Sequence, residues 1–219
     1  MFNVLRTVPA PASLSKRQRY DEEDVLTALK TMFLDKCYLC ESKDPHSINV
    51  EHFDAHQGVP AKKFDWNNLF YVCGRCNNIK LAKYANLLDC TDPSLNVVRA
   101  IKHLPPRTPG AKVEIQAMDT DPRTVTTAKL LNDIYNADEK RFNKKLTAVY
   151  LRIGIYRKVN RFLGHVNAYF DDETPPAEKA DALQRMRTFM GPDQEYSAFL
   201  RWMALDDASL EGLLQNVIP

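Results

Sequence analysis

The 219-residue chain carries two Cys-x-x-Cys pairs, Cys37 with Cys40 and Cys73 with Cys76. Two thiolates on one tight turn can occupy adjacent corners of a tetrahedron, so two such pairs predict a four-thiolate zinc site, which is closed and therefore structural. A thioredoxin-like redox motif needs only one pair near a βαβ unit, and the second pair disfavours it. The fifth cysteine, Cys90, is expected to be a small buried side chain.

Polar residues between and behind these pairs form a second pattern. Glu51 and Asn77 offer oxygen ligands, which suit Mg²⁺ or Mn²⁺, and such an ion can stabilise a departing alkoxide. His52 can take the proton of an attacking water, because the unperturbed pKa of histidine is near neutrality. Asn68 could hold the imidazole or its loop through a backbone hydrogen bond. His56 is either a second ligand, a substrate contact or a solvated loop histidine.

Secondary-structure patterns around these residues predict the elements that position them. Residues 48–53 alternate and include Ile and Val, which is typical of a strand. A loop at 54–67 and a second strand at 68–73 follow. Residues 74–88 are a helix candidate. A hairpin closed against a helix can direct a few side chains to one point, here the start of the helix near Asn77.

The rest of the chain is predicted to be mainly helical. A helix is expected from Asp21 to Phe33, because acidic residues precede apolar ones at helical spacing. Residues 91–125 are rich in Pro and Asp, with one possible strand at 112–117. The apolar residues from Phe142 to Tyr156 recur at helical spacing and predict one buried stripe, which comprises Phe142, Leu146, Val149, Ile153 and Tyr156. After a break at 171–176, two or three helices fill 177–216.

These elements together predict a mostly helical α+β fold. We expect an N-terminal arm and helix at 1–35, a zinc-containing module at 36–90, and a mainly helical C-terminal region at 91–219. The length of the chain allows such a small module beside a larger helical body.

Bulk composition limits the possible classes of protein. The formal net charge is only +2, so any nucleic-acid surface must be a local patch. No run approaches about 18 apolar residues, and the first residues lack the apolar segment of a signal peptide. We therefore expect a cytoplasmic protein that does not act on a membrane, with cysteines that bind metal and do not form disulfides.

A basic stretch at 140–161 contains eight Lys or Arg and no Asp or Glu. On a helix, five of them share the side opposite the apolar stripe: Lys140, Arg141, Lys144, Lys145 and Arg152. Runs of this kind are usually solvated faces, but their one-sidedness also suits phosphate contacts or an acidic partner. We take the first four as candidate nucleic-acid-binding residues.

The run "CYLC…VEHF…WNNLFYVCGRCNNIK" resembles the HNH nucleases, which have a ββα-metal fold that can carry flanking zinc-binding cysteine pairs. The resemblance implies an HNH module within the helical body, with Glu51 as metal ligand, His52 as general base, Asn68 as the central asparagine and Asn77 as the last ligand. Asn77 stands where histidine is more common in the family. Lys80 matches a basic residue suited to a phosphate contact.

The stretch from residue 3 to about residue 90 also resembles the PtuB family, the HNH subunits of Septu-type anti-phage systems. That resemblance implies an ABC- or SMC-like ATPase of the PtuA type as partner. Septu-type systems also occur attached to retrons, which adds a retron reverse transcriptase and its msDNA as possible partners.

Three functions remain open on the sequence. The first is a metal-dependent nuclease that uses structural Zn²⁺ and catalytic Mg²⁺ or Mn²⁺ to cut DNA, or RNA such as tRNA. The second is a zinc-dependent module that binds nucleic acid or a partner without cutting. The third is an antitoxin or scaffold within a defence complex, which the long helical tail would serve.

Overall fold

The computed structural model describes residues 1–137 and 148–218. Its helices are α1 (Glu23–Met32), α2 (Pro60–Lys63), α3 (Gly74–Lys80), α4 (Val97–Ala100), α5 (Pro122–Asn136), α6 (Ala148–Phe170), α7 (Pro176–Phe189), α8 (Ser197–Leu205) and α9 (Ala208–Leu214). Short 3-10 turns lie at Ala12–Lys16, Trp66–Asn68, Leu81–Lys83 and Gln215–Val217. About 51% of the protein is helical, which confirms the mostly helical α+β prediction.

Two antiparallel hairpins form the sheets. Strand β1 (Ile48–His52) pairs with β2 (Leu69–Cys73), and His52 lies opposite Leu69. Strand β3 (Ile101–Leu104) pairs with β4 (Glu114–Ala117). Every residue of β2 is buried, because the strand contacts both β1 and α1 within the apolar core.

Helix α1 (Glu23–Met32) lies within the range 21–33 that the sequence predicts. Glu23 and Asp24 lie in the first turn, where carboxylates favour the positive end of the helix dipole. Val25 and Leu29 recur at helical spacing and are fully buried. The helix ends before two left-handed residues, Leu34 and Asp35, which turn the chain toward the first cysteine pair.

One continuous apolar core joins the first residues, the first hairpin and the C-terminal helices. The residues before α1 contain one 3-10 turn and otherwise no regular element, but Met1 and Phe2 are fully buried within this core. Glu41 is also fully buried and receives charge-assisted contacts from two parts of the chain: the Met1 amino nitrogen at 2.9 Å and Lys36 Nζ at 3.8 Å. Its carboxylate further accepts hydrogen bonds from Ser197 Oγ and the Ala198 N–H at the start of α8.

The predicted apolar stripe on α6 differs from the buried face. Val149 is 40% exposed, whereas Leu151, Ile155, Val159 and Phe162 are buried. Two members of the stripe, Phe142 and Leu146, lie outside the described residues.

Arg152, which we expected on the solvent side of α6, is also buried. Its Nη1 donates a hydrogen bond of 2.9 Å to the Tyr135 carbonyl at the C-terminal end of α5. The last carbonyls of a helix lack partners within the described helix, and an arginine on the neighbouring helix donates to this one. The prediction that Arg152 lies on the solvent face of α6 is therefore wrong.

Candidate zinc centre and active site

The four paired cysteines meet in one cluster. Cys37, Cys40, Cys73 and Cys76 are buried, are not disulfide-bonded, and have sulfur atoms that all lie within 4.8 Å of one another. A tetrahedral zinc ion with bonds of about 2.3 Å would set its sulfur ligands about 3.8 Å apart. The Sγ atoms of Cys40 and Cys73 are 3.9 Å apart. The cluster therefore has the composition and spacing of a structural zinc site.

The second cysteine pair is positioned by the junction of β2 and α3. Cys73 caps α3, and its Sγ accepts a hydrogen bond from the Cys76 N–H at 3.4 Å. The next residue, Gly74, donates its N–H to the Ser47 carbonyl at 2.9 Å. A Cβ atom at Gly74 would lie 2.8 Å from Ser47 Oγ, which is closer than real Cβ contacts. Glycine thus allows the chain before β1 to approach the knuckle closely.

The first pair is fixed to the hairpin from the other side. The Tyr38 N–H donates to the Tyr71 carbonyl at 3.1 Å, and the Glu41 N–H closes the knuckle by donating to the Cys37 carbonyl. Burial raises the pKa of the Cys37 and Cys76 thiols, because a thiolate is poorly solvated there. A zinc ion would supply the positive charge that such thiolates require.

His52 lies at the end of β1 with its imidazole half-buried. Its Nε2 is 3.0 Å from the Lys63 carbonyl at the end of α2. A carbonyl can only accept, so Nε2 carries the proton, and in the neutral ring Nδ1 has the free lone pair. No hydrogen bond joins Nδ1 to the part of the chain that the structure describes.

Two rings flank this imidazole. The Tyr20 ring lies edge-on with its centroid 4.6 Å away, and the His56 ring centroid is 4.4 Å away. Burial lowers the pKa of His52, and the nearby His56 lowers it further, while the Lys63 carbonyl opposes both effects. His56 Nδ1 accepts a hydrogen bond from the Gly58 N–H at 3.0 Å, which fixes the turn that follows it.

Asn68 fastens the loop between the strands. Its Oδ1 accepts from the Asp54 N–H at 2.7 Å, and its Nδ2 donates to the Asp54 and Lys62 carbonyls at 2.9 and 3.0 Å. Lys62 directly precedes Lys63, whose carbonyl holds His52. Asn68 lies in the 3-10 turn before β2 and holds the loop through backbone contacts, which is one of the two roles considered from the sequence.

Glu51 directly precedes His52 on β1 and is buried. Its Oε1 accepts a hydrogen bond from the Tyr38 hydroxyl and lies 3.3 Å from Lys80 Nζ. Burial raises the pKa of Glu51, while Lys80 and Tyr38 oppose that effect. No hydrogen bond to Oε2 occurs within the described ranges, so this oxygen is the one left for another ligand.

Lys80 does not face solvent, as a phosphate-binding lysine would. Its side chain is 4% exposed, and Nζ donates to the His52 and Phe53 carbonyls at 3.2 and 3.0 Å. Asn77 lies one turn earlier on α3 and is partly exposed. Asn77 and Lys80 are three residues apart on α3, a spacing at which side chains share one face of a helix. The amide of Asn77 forms no hydrogen bond among the described residues.

The donor types of Glu51 and Asn77 fit a hard divalent cation. However, the charge of Glu51 is already balanced by Lys80. A divalent ion fits beside Glu51 only if the ammonium moves away, because two cations repel each other strongly at such a distance.

The remaining candidates are distributed as follows. Cys90 is fully buried, as expected. Trp66 is buried, and its Nε1 donates to the Thr7 carbonyl at 2.8 Å, so it packs the hairpin loop against the first residues. The candidate nucleic-acid contacts Lys140, Arg141, Lys144 and Lys145 lie outside the described residues.

The sequence did not identify three parts of the site: Tyr20, Tyr38 and the Lys63 carbonyl. Tyr38 could have been suspected from its place inside the first Cys-x-x-Cys pair. The Lys63 contact uses a main-chain atom, for which the sequence has no signal.

Comparison with protein-family models and with curated proteins gives no match to this chain. In the residues that the structure describes, no helix combines the length and apolar character needed to cross a bilayer.

Proposed function

We propose that the protein is a metal-dependent nuclease that hydrolyses phosphodiester bonds in DNA, or in RNA such as tRNA, with a zinc-bound HNH-like module as its catalytic part. The supporting observation is the orientation of the His52 imidazole. Its Nε2–H is bound to a main-chain carbonyl, and Nδ1 is left as a proton acceptor. A general base needs a free lone pair on a ring whose tautomer is fixed by a second hydrogen bond.

In this reaction His52 Nδ1 accepts a proton from water as the water oxygen bonds to phosphorus. The bond from phosphorus to the leaving oxygen breaks, and that oxygen takes a proton from solvent. Asn68 acts as a positioning residue, because it fixes the loop whose carbonyl orients His52. When bound by Glu51 and Asn77, Mg²⁺ or Mn²⁺ would neutralise phosphate charge and stabilise the departing oxygen.

The resemblance to the PtuB family extends this proposal to a role in anti-phage defence. In that setting the chain would be the nuclease subunit beside an ABC- or SMC-like ATPase of the PtuA type. A retron reverse transcriptase with its msDNA would be a further partner.

Replacing the proposed base tests the nuclease function. We expect His52→Ala to lower the cleavage rate by roughly 10²- to 10⁴-fold, the usual contribution of general base catalysis. The assay uses the purified full chain, with and without an added ABC- or SMC-like ATPase subunit, on plasmid DNA and total RNA with Mg²⁺ or Mn²⁺. His46→Ala is the matched control, because His46 is an exposed histidine outside the site. Zinc content and helicity should match wild type in both variants, and normal cutting by His52→Ala would refute the assigned base.

A non-catalytic zinc-dependent binding module is the second candidate. The observation in its favour is the buried pair of Glu51 and Lys80, which resembles a structural ion pair more than an open metal site. This candidate predicts that the wild-type chain binds nucleic acid or its partner but cuts neither substrate with any ion. Fluorescence anisotropy, measured beside the cleavage assay, distinguishes the two candidates.

A further inference from the structure

Three oxygen atoms surround the Lys80 ammonium at the end of β1. Nζ lies 3.3 Å from Glu51 Oε1, 3.2 Å from the His52 carbonyl and 3.0 Å from the Phe53 carbonyl. One carboxylate and two main-chain carbonyls are the donors that proteins also use for hard metal ions. The Lys80 side chain is 4% exposed, so protein oxygen atoms replace nearly all of its water.

This arrangement gives the buried carboxylate a counter-charge within the chain. A buried carboxylate without a partner is strongly disfavoured, and Lys80 provides that partner. A divalent ion at Glu51 would supply the same neutralisation with twice the charge. Both cations cannot occupy the site, because their mutual repulsion in a buried place is large.

We propose that the Lys80 ammonium and a divalent cation occupy the Glu51 site alternately, so that Lys80 sets the metal affinity of the protein. This inference rests on the metal site of the proposed function. While Lys80 lies on Glu51, it closes the site to the ion. When the ion binds, the ammonium leaves its three oxygen atoms and becomes available to a phosphate of the substrate.

The chain next to Lys80 suits such an exchange. Helix α3 ends at Lys80, and the following residue, Leu81, has a φ of 41°. A positive φ at a residue with a branched side chain is strained, and strain of this kind is common where a segment changes conformation. Leu81 is 63% exposed, so its own side chain adds little packing against a movement at this residue.

Mn²⁺ binding to the zinc-loaded full chain tests the exchange without any need for cleavage. We expect Lys80→Gln to bind Mn²⁺ about tenfold more tightly than wild type in calorimetry, a typical size for coupling between two ligands. Glutamine keeps donors for the two carbonyls but removes the competing charge. Lys80→Arg keeps the charge and should bind Mn²⁺ no more tightly than wild type.

Two further variants are controls. Lys83→Gln alters an exposed lysine in the next turn, which pairs with Asp133, and should leave Mn²⁺ affinity unchanged. Adding Glu51→Gln to Lys80→Gln should abolish the gain in affinity, because the carboxylate is the shared ligand. Equal Mn²⁺ affinity in wild type, Lys80→Gln and Lys80→Arg would overturn the proposal.

Thermal unfolding provides a second readout should Lys80→Gln fold poorly. The melting temperature of this variant should be below that of wild type without Mn²⁺ and should rise more steeply as Mn²⁺ is added, since the ion binds only the folded state. A variant that Mn²⁺ does not stabilise would contradict the exchange. If Lys80→Gln binds Mn²⁺ more tightly but the wild-type protein cuts no substrate, the nuclease proposal is refuted and the exchange stands. If the wild-type protein cuts but Lys80→Gln binds Mn²⁺ no more tightly, the exchange is refuted and the nuclease proposal stands.

Discussion

Asn68 holds the candidate site through uncharged contacts. It bonds three backbone groups of the loop, and the next carbonyl along that loop fixes the His52 ring. Each of these hydrogen bonds is buried or partly buried, so loss of the amide would leave backbone groups without partners.

Asn68→Ala should lower the free energy of unfolding by about 1–3 kcal/mol, the usual cost of leaving buried polar groups unpaired. Amide hydrogen exchange should increase in residues 54–63, and cleavage should fall because the imidazole loses its fixed orientation. The control is Asn67→Ala, which removes an exposed amide from the adjacent position. Equal exchange rates in the two variants would show that Asn68 does not hold the loop.

Single residues differ in how far their environment could be read from the sequence. The cysteine tetrad was predictable because ligand spacing alone determines a tetrahedral site. The role of Asn68 was partly predictable from its place at the end of the loop. The burial of Lys80 and Arg152 was not, because each depends on a carboxylate or carbonyl that only the folded chain brings close.

Among the elements, the hairpin and α3 are joined by the cysteine cluster. Tyr38 connects the first knuckle to β2 by a backbone hydrogen bond, and Cys73 caps α3 with its sulfur. The knuckles therefore fix the angle between the sheet and the helix that carries Asn77 and Lys80. Structural zinc contributes directly to the folding free energy of such small elements.

Cys37→Ser should reduce the zinc content well below one ion per chain and lower the melting temperature. Removal of one ligand opens a closed site, and structural zinc stabilises small modules by roughly 10 kcal/mol or more. Mass spectrometry of native protein and differential scanning calorimetry measure the two effects. Cys90→Ser is the control, because Cys90 is equally buried but lies outside the cluster. If both variants keep full zinc content, the cluster is not the zinc site.

The elements that the sequence predicted least well are those with weak or conflicting patterns. The helix expected over 74–88 ends at Lys80, because Leu81 adopts a positive φ. Strand β3 was missed, whereas its partner β4, which also has four residues, was expected from residues 112–117. On α6 the apolar spacing suggested the wrong face, since several apolar side chains on this helix remain partly exposed.

In the molecule as a whole, buried ionisable groups connect distant parts of the chain. His103 on β3 is fully buried. Its Nδ1–H donates to the Ile101 carbonyl at 2.8 Å, and Nε2 lies 3.2 Å from the Met1 amino nitrogen. Burial, and then the neighbouring amino group, lowers the pKa of His103 to about 3.

This low pKa predicts acid sensitivity of the fold. Between pH 6.5 and about 3 the unfolded chain binds a proton at His103 and the folded chain does not, so stability falls as the pH falls. When the pH falls from 7.5 to 5, His103 should lower the free energy of unfolding by about 2 kcal/mol. The His103→Gln variant should not show this part of the decrease. Urea unfolding at both pH values measures it. The control is His165→Gln, at a partly exposed site on α6, which should retain the wild-type pH dependence. If His103→Gln loses as much stability between pH 7.5 and pH 5 as the wild-type protein, His103 is not the source of the acid sensitivity.

The contacts that Glu41 makes with distant residues limit how far this protein can be shortened. The first cysteine knuckle is contacted from the C-terminal part of the chain: Ser197 and Ala198 donate to Glu41, and Lys36 donates to the Gln194 carbonyl. In a fragment ending near residue 90, the Glu41 carboxylate and the Lys36 ammonium would be exposed on the side that C-terminal residues cover in the full chain. Transplanting the cysteine-bearing hairpin into another scaffold would therefore require the start of α8, or a designed substitute for it.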